Sequence, residues 1–444
     1  MRRVLLFMIL SCSAMFAHGQ TESSLLITNK LVDLHDVWDS AYVSFPGLKE
    51  TLEDAEIVML GEQSHYDGTT LATKVKLVEF LHKEMGFDIL AFESGFYDCN
   101  KAWSEIQKGG RVDLNLAKNV FSAWSAAKEF EPLADYISNA RFSGHPLKVM
   151  GFDSQFTEQR SRSQFVDDLK HFLAEHDNAV LKTEEWERLE TTLIYRIDND
   201  FKKLRKLEIT ADTVFINAII SGLAESPQND SAEFWMQALE NSKVSLVKEN
   251  SSFYRDRQMA QNLTWIKEKN PGKKIICWGA TSHFLYNSQS LEMVDEEVQE
   301  VVGDYYSRIP SMGNYVKAEY GSKVYTIGFI AYEGMYGLKK DLELDTARTN
   351  SIEAIIGQAS FDNCFLPLEG LELDGLISRP VGNQFMSTDI STVMDGVVFN
   401  RYMIPPNGNV PLIYEIHPDW IWLAPDEMSK KEIRRRKKEF KQGA

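Results

Sequence analysis

The sequence predicts an α/β protein with a mainly parallel central sheet flanked by helices and a large helical insertion. The main evidence for this fold class is a set of short, nearly continuous apolar runs at residues 57–62, 89–94, 147–153, 274–283 and 324–330. Continuous hydrophobicity is typical of strands that are buried on both faces. Most gaps between the runs are long enough for the helical crossovers that connect parallel strands. Together these observations favour a sheet covered by helices on both sides.

The gap after the first predicted strand has the pattern of an amphipathic helix. Residues at helical spacing precede a glycine that would end the helix: Leu71, Val75, Val78, His82 and Met85, then Gly86. At about 100° per residue, Lys74 falls inside the apolar arc of this helix. A lysine there needs a charged partner or must extend its stem to water, and both alternatives are open.

Two domains, or one domain with a sizeable insertion, are both open, and we interpret residues 20–444 as a single domain. Between about residues 157 and 270 the pattern becomes long, charged and helical, which predicts an insertion packed over one end of the sheet, where it can shape a cleft. The last 100 or so residues mix short strands, such as 395–400, with loops that contain Pro and Gly.

Charge excludes one class of partner. The chain has 444 residues and a formal net charge of -17, so it has no general attraction for phosphate backbones, and we expect no nucleic-acid partner. The basic run at residues 430–441 is interpreted as a solvated terminal helix or tail.

The first 19 residues resemble a secretory signal peptide, with two arginines, an apolar stretch and small residues before Gln20. We therefore expect export to the periplasm or the medium. Cys12 lies in a lipobox-like stretch, so a lipoprotein anchored through Cys12 is the alternative. No later run has the roughly 18 apolar residues of a membrane span, and no transmembrane segment is predicted.

Three cysteines remain after Cys12: Cys99, Cys277 and Cys364. Their odd number, and the apolar run around Cys277, indicate buried free thiols and no disulfide framework. The chain has no Cys-x-x-Cys pair, so we expect no structural zinc and no other cofactor.

Ionisable residues follow several of the predicted strands. Because parallel strands end at the same edge of a sheet, these side chains should converge there, and ligands bind beyond that edge. The predicted group is Glu62, His65, Glu93, Asp153 and His283, with Lys74 on the adjoining helix. Ser64 lies in the same loop as His65 and is a candidate to contact substrate, as is Asp153. The convergence predicts a functional cleft.

These residue types suit the activation of water. A histidine can accept a proton from water, a carboxylate can orient the imidazole, and a cation can stabilise an oxyanion. No Gly-x-Ser-x-Gly elbow or Gly-rich phosphate loop occurs in the chain, so a serine nucleophile and nucleotide chemistry are not favoured. A metal held by the histidines and glutamates is a second interpretation, although no His-Glu-x-x-His helix supports it.

Several motifs together resemble the erythromycin esterase family. In order they are GEQSH at 61–65, the lysine at position 74, FES at 92–94, EPLADYI at 131–137, GFD at 151–153, RDRQMAQNLTWI at 255–266 and CWGATSHF at 277–284. The match extends from about residue 52 to beyond residue 328, which is most of the chain.

The resemblance implies a metal-independent hydrolase that opens the lactone ester of macrolide antibiotics, and hence a role in antibiotic resistance. It gives His65 the role of general base, and it puts Glu62 and Glu93 at the positions of the family's essential glutamates. Lys74 matches a basic residue of the family, and His283 matches a histidine of one of its motifs. This match implies that Lys74 and His283 stabilise the oxyanion.

Helical spacing along residues 255–266 puts Arg255 and Asn262 on one face, so both are expected to point into the cleft and bind substrate. The chain departs from the family pattern at Ala280 and Thr281, where the family has histidine and asparagine, and at Lys74, where it usually has arginine. An ester other than a macrolide, such as an acylated glycan, and a non-catalytic binding protein therefore remain open.

Overall fold

The structure is a computed structural model that describes residues 24–39, 41–156, 158–204, 209–225, 229–246, 251–337 and 341–408. The predicted signal peptide with Cys12, and the basic run at 430–441, lie outside the described residues.

A mainly parallel sheet forms the centre of the molecule. Its strands, with those of a separate hairpin, are β1 (Val32–Asp33), β2 (Ile57–Glu62), β3 (Phe87–Gly95), β4 (Lys148–Asp153), β5 (Lys274–Ala280), β6 (Val324–Tyr336), β7 (Leu342–Leu344), β8 (Asn363–Pro367), β9 (Ser378–Val381), β10 (Gln384–Met386) and β11 (Gly396–Met403). Nine strands of the described chain form the sheet, in the order β1-β8-β11-β6-β2-β5-β3-β4, and β7 pairs with β6. The neighbours from β11 to β4 run parallel, whereas β8, β1 and β7 are antiparallel. The predicted fold class is confirmed.

The predicted strands agree with the structure in position and differ mainly at their ends. β2 has the predicted bounds, and every residue of β2 and β3 is buried, as their continuous apolar runs indicated. β5 ends at Ala280, earlier than predicted, and a helical turn over Thr281–Phe284 follows it. β6 continues to Tyr336, well past the predicted end at residue 330. His283 therefore lies on a helical turn and not on a strand.

Helices cover both faces of the sheet. They are α1 (24–29), α2 (Pro46–Thr51), α3 (Gly68–Met85), α4 (Phe96–Gln107), α5 (Val112–Asn119), α6 (Ser122–Ser125), α7 (Glu131–Ala140), α8 (Gln159–His176), α9 (Glu184–Ile197), α10 (Phe201–Leu204), α11 (Ile209–Glu225), α12 (Asp230–Leu246), α13 (Ser251–Lys269), α14 (Thr281–Phe284), α15 (Glu296–Val298), α16 (Asp304–Arg308), α17 (Met312–Tyr320) and α18 (Ile352–Ile356). The predicted helical insertion corresponds to α8 to α13.

Two apolar layers enclose the sheet. One face packs against α3, α4 and α7 through a core that includes Leu71, Val78 and Trp124. The other face packs against α13 and α17 through a core that includes Met259 and Ile266. Each layer removes apolar surface from water and thereby fixes the helices that flank the sheet edge.

Helix α3 has the limits that the sequence predicted. The Asp67 side chain accepts a hydrogen bond from the Thr69 N–H and caps the first turn. Gly86 ends the helix at φ 68°, a left-handed conformation that glycine adopts at no steric cost. Within these limits Lys74 lies in the buried face, as its position in the arc indicated.

The insertion has an apolar core of its own. Trp186, Leu193, Ile216 and Leu239 from three of its helices pack together and meet Phe96 at the start of α4. The insertion is therefore attached beside the carboxyl end of β3, where α4 begins.

The three cysteines in the described chain are buried free thiols, as predicted. Among the described residues, no helix has both the length and the apolar character needed to cross a membrane.

Two glycines allow the ends of β2 and β5 to approach closely. A Cβ on Gly61 would lie 2.7 Å from Cα of Thr281, and a Cβ on Gly279 would lie 2.8 Å from Oε2 of Glu93. No other residue type fits at these positions without displacing backbone or the Glu93 carboxylate. The polar strand ends are thereby brought into contact.

Gly61→Ala should lower the free energy of unfolding by about 1–3 kcal/mol, because the added methyl group overlaps the Thr281 backbone. Gly144→Ala is the matched control, since a Cβ there meets nothing within 4 Å. Urea denaturation measures both. Equal stability of the two variants would contradict the close approach.

Candidate active site

The carboxyl edge of the sheet brings most of the predicted residues together. Glu62 is the last residue of β2, Glu93 lies near the end of β3, and Asp153 is the last residue of β4. His283 follows β5 on α14, and Arg255 reaches the same edge from α13. The side chains form two groups, one around Glu62 and one around Arg255.

The first group is centred on the buried carboxylate of Glu62. Its Oε1 atom lies 2.8 Å from Nδ1 of His65 and accepts a hydrogen bond of 2.6 Å from Nε1 of Trp124. Its Oε2 atom forms an ion pair with Nζ of Lys74. Glu62 is 1% exposed, so these three partners take the place of its hydration shell.

Lys74 lies behind Glu62 and has no contact with solvent. Its side chain is 0% exposed, and Nζ also donates a 2.9 Å hydrogen bond to the Gly279 carbonyl. Nζ lies 5.0 Å from the centre of the Trp278 ring. Burial lowers the pKa of Lys74 in spite of the opposing charge of Glu62. The structure thus places the Lys74 ammonium behind Glu62, where it holds that carboxylate and the Gly279 carbonyl.

His65 is the exposed member of this group, with 32% of its side chain accessible. A carboxylate can only accept a hydrogen bond, so a neutral His65 carries its proton on Nδ1 and leaves a lone pair on Nε2. No partner in the described chain bonds to Nε2. The rings of Phe121 and Trp124 lie 5.3 and 5.7 Å from the imidazole. His65 is thus aimed by Glu62 and enclosed by aromatic rings, with one free basic nitrogen.

The pKa of His65 is raised above its ordinary value. Burial alone lowers this pKa, but the hydrogen bond and the negative charge of Glu62, with the charge of Glu93, outweigh it. His65 and Glu93 are therefore electrostatically coupled across the two groups.

The second group is organised by the guanidinium of Arg255. Nε and Nη2 donate to the two oxygens of Asp153 at 3.1 and 2.7 Å, and Nη2 also donates to Oε1 of Glu93 at 2.8 Å. This planar fork crosses from the insertion helix to the ends of β3 and β4, and it fixes two strand-end carboxylates in one plane.

His283 completes the second group. Its Nδ1 atom lies 2.8 Å from Oδ1 of Asp256, and its Nε2 atom lies 3.2 Å from Oε1 of Glu93. Burial lowers the pKa of His283, but the charges of Asp256 and Glu93 prevail and raise it to about 10. His283 is therefore an imidazolium at neutral pH, and it is 16% exposed to the cleft.

Glu93 stays ionised within this group. Burial raises its pKa, yet the cations His283 and Arg255 hold that pKa well below the ordinary value. The backbone N–H of Ala280 donates to Oε2 of Glu93 at 2.9 Å. Ala280 thus contributes a backbone donor to the Glu93 carboxylate.

Two residues that were predicted to bind substrate, Asn262 and Ser64, lie outside the two groups around Glu62 and Arg255. Asn262 is 0% exposed, and its carboxamide bonds to Phe152, Asn241, Gln237 and Gln258. With its donors and acceptor engaged, Asn262 joins α13 to β4 and α12 and has no exposed surface. Ser64 is half-buried beside His65, and its Oγ accepts the Tyr66 N–H at 3.3 Å.

Sequence reasoning missed two members of the site. Trp124 comes from a short helix with no strand-end pattern, and nothing in its spacing marks it as a partner of Glu62. Asp256 directly follows Arg255 in the RDR motif, and that pairing of charges could have identified it. It accepts the Met312 N–H at 2.9 Å and so holds His283 against α17.

Four carboxylates therefore face two basic side chains and two imidazoles: Glu62, Glu93, Asp153 and Asp256; Lys74 and Arg255; His65 and His283. In the described part of the chain, no set of three or more His, Cys, Asp or Glu side chains has the arrangement of a metal site. The excess of negative charge explains why both imidazoles bind protons more tightly than in water.

Comparison with known proteins agrees with this architecture. The sequence model of the erythromycin esterase family matches residues 82–401. The chain belongs to the erythromycin esterase family. YbfO of Bacillus subtilis (strain 168), a protein described as a hydrolase, is 30% identical over 319 residues, which is 65% of this chain and 67% of YbfO. Family membership and this relative support assignment as a hydrolase.

Solved structures share the fold. A Bacillus cereus protein and a succinoglycan biosynthesis protein each superpose with a TM-score of 0.66, cover 87% of this chain and 98% of their own, and are 18% and 17% identical. A histidine-to-asparagine variant of the erythromycin esterase EreC, in its open conformation, has a TM-score of 0.58 at 15% identity, with 81% of this chain and 93% of that chain covered. At these identities the likeness shows the fold.

Lys74→Met should lower the free energy of unfolding by about 3–5 kcal/mol, because Glu62 then stays buried without its cation. Adding Glu62→Leu removes the unpaired carboxylate, so the double variant should recover most of that loss. Urea denaturation of the wild type, the two single variants and the double variant gives a double-mutant cycle, which measures the coupling free energy between Glu62 and Lys74. A double variant less stable than Lys74→Met would show that the two groups are not a coupled pair.

Proposed function

We propose that this hydrolase cleaves a carboxylic ester or lactone by direct attack of a water molecule that His65 deprotonates. The observation that carries the proposal is the geometry of His65, whose Nδ1 is held by Glu62 at 2.8 Å while Nε2 has no partner among the described residues. An imidazole fixed at one nitrogen and free at the other is the usual form of a general base.

The reaction proceeds in two steps. Nε2 of His65 takes a proton from water, and the water oxygen bonds to the ester carbonyl carbon to give a tetrahedral oxyanion. The carbon–oxygen bond to the alcohol then breaks, and the alcohol oxygen takes the proton from the His65 imidazolium. The products are a carboxylic acid and an alcohol, and the imidazole is restored. Glu62 stabilises the imidazolium while it exists.

The oxyanion is stabilised by the second group. His283 is charged and accessible, and Arg255 lies beside it with its guanidinium held by Asp153. Both nitrogens of His283 already contact carboxylates, so this group acts through its positive charge, which is fixed in advance and stabilises a developing negative charge without rearrangement of solvent. Lys74 contributes indirectly, because it fixes the carboxylate that aims His65.

The substrate classes to test are macrolactones and acylated glycans. The family name favours the macrolactone, whereas alanine and threonine at positions 280 and 281 change the pattern beside His283. A panel of both classes, analysed by mass spectrometry for a product of substrate plus water, identifies the bond and the substrate together.

A non-catalytic protein that holds a metal or an anionic glycan is the competing proposal. Every carboxylate of the two groups already contacts Lys74, Arg255 or His283, so none of them is free to bind a metal cation. Elemental analysis after dialysis tests the alternative. Stoichiometric metal together with no turnover on the panel would favour it over the esterase.

Export is also proposed, on the signal-like first 19 residues. The mass of the mature protein from its native host distinguishes cleavage before Gln20 from a lipid-bearing N-terminus at Cys12. A mature protein that retains residue 2 would overturn both forms of the proposal.

His65→Ala should lower kcat roughly 100-fold or more, because a positioned general base contributes about 10²–10⁴ to the rate. His171→Ala is the matched control: His171 lies exposed on α8, and its Nδ1 contacts only the Asp167 carbonyl of its own helix. Initial rates on the ester identified by the panel provide the measurement. Equal rates for wild type and His65→Ala would refute the assignment.

Glu62→Gln should shift the pH dependence of kcat/KM. In the wild type the acid limb should lie above the ordinary histidine value of about 6.5, since His65 must lose its proton to act and its pKa is raised. Without the Glu62 charge, burial dominates and the limb should move to lower pH, while the maximum rate falls. If the acid limb of kcat/KM lies at the same pH in Glu62→Gln as in the wild type, a group other than His65 controls it.

A further inference from the structure

The hairpin formed by β9 and β10 borders the active site. Its tip is the two-residue turn Gly382–Asn383, with φ values of 58° and 60° that are typical of a type I′ turn. The Gly382 N–H donates a 3.0 Å hydrogen bond to the carbonyl of Gln63, which lies between Glu62 and His65. β9 also packs against α14, the helical turn that carries His283.

The base of this hairpin is rigid. The guanidinium of Arg379 donates to the carbonyls of Ala331, Tyr332 and Asp345, and the buried Glu353 accepts from the Arg379 N–H and the Ser378 hydroxyl. The turn is therefore presented to the GEQSH loop by a fixed support. A Cβ on Gly382 would meet nothing within 4 Å, so open space adjoins the tip.

The carboxamide of Asn383 is unusual in this setting. Both of its polar atoms, Nδ2 and Oδ1, are shielded from solvent, and neither has a hydrogen-bond partner within the described chain. A buried polar group without a partner costs roughly 1–3 kcal/mol, so native proteins rarely keep one without a use. Here a donor and an acceptor are unsatisfied side by side, on the residue that follows Gly382, whose N–H bonds to the loop that carries the proposed base.

We propose that Asn383 is a substrate-binding residue that recognises a hydroxyl group beside the scissile ester. An amide offers one kind of donor and one kind of acceptor, and a hydroxyl group can satisfy both at once. The substrate class is accordingly a hydroxylated ester or lactone. This inference rests on the proposed esterase function and adds the feature by which the site selects among esters.

Asn383→Gly provides a selective test, because glycine adopts the left-handed turn conformation at least as well as asparagine and only the carboxamide is lost. The substrates are a hydroxylated ester from the mass-spectrometric panel and its deoxy counterpart. We expect kcat/KM on the hydroxylated ester to fall about ten-fold, mainly through a higher KM, with little change on the deoxy ester.

Asn199→Gly is the matched control, since Asn199 also has a left-handed conformation, φ 55°, and lies exposed in the helical insertion. It should leave both rates unchanged. An equal loss on the two esters, or no loss, overturns the role of Asn383 while the esterase function stands. A panel that contains only unhydroxylated substrates also overturns it. A wild-type protein that hydrolyses no ester refutes the proposed function, and this inference with it.

Discussion

The buried ion pair between Glu62 and Lys74 is the constraint on which the site depends. A carboxylate at the end of a fully buried strand is costly unless a cation and hydrogen-bond donors replace water. Lys74 supplies the cation from the next helix, and Trp124 supplies a donor from the short helix α6. With two of its partners fixed in this way, Glu62 can hold His65 in a single orientation.

The second group depends on the same principle at the neighbouring strands. Arg255 neutralises Asp153 and Glu93 together, and the remaining negative charge is balanced by a protonated His283. The two imidazoles therefore differ in what they can do. His283, with carboxylates at both nitrogens, stays charged, whereas His65, with a carboxylate at one nitrogen, can exchange a proton with water. One edge of the sheet thus carries one imidazole with a free nitrogen and another whose two nitrogens both contact carboxylates.

The sequence predicted the sheet and most of the strand-end residues because both follow from local patterns. Continuous apolar runs mark buried strands, and polar residues after them must meet at one edge. The helical arc shows that Lys74 lies on the buried side, but it left open whether the lysine is paired or extends its stem to water. Spacing reveals burial but not depth, and the structure places the lysine wholly behind Glu62.

Other features depend on tertiary contacts that leave no local signal. Asn262 shares a helix face with Arg255, yet a neighbouring helix of the insertion covers it. The position of a residue on a helix face therefore does not show whether it contacts a ligand or another helix. Trp124 reaches Glu62 from a segment 62 residues away in sequence. The turn at Asn383 joins the site only because the last part of the chain returns to the GEQSH loop.

The central claim is that Glu62 gives His65 a proton on Nδ1 and a basic Nε2. Nitrogen-15 NMR of imidazole-labelled protein, with the His65 signals assigned by their loss in His65→Ala, measures both the tautomer and the titration directly. We expect the neutral imidazole of His65 to carry its proton on Nδ1, and we expect the pKa of His65 to lie above the ordinary histidine value. A neutral form protonated on Nε2, or a pKa below that value, would contradict it.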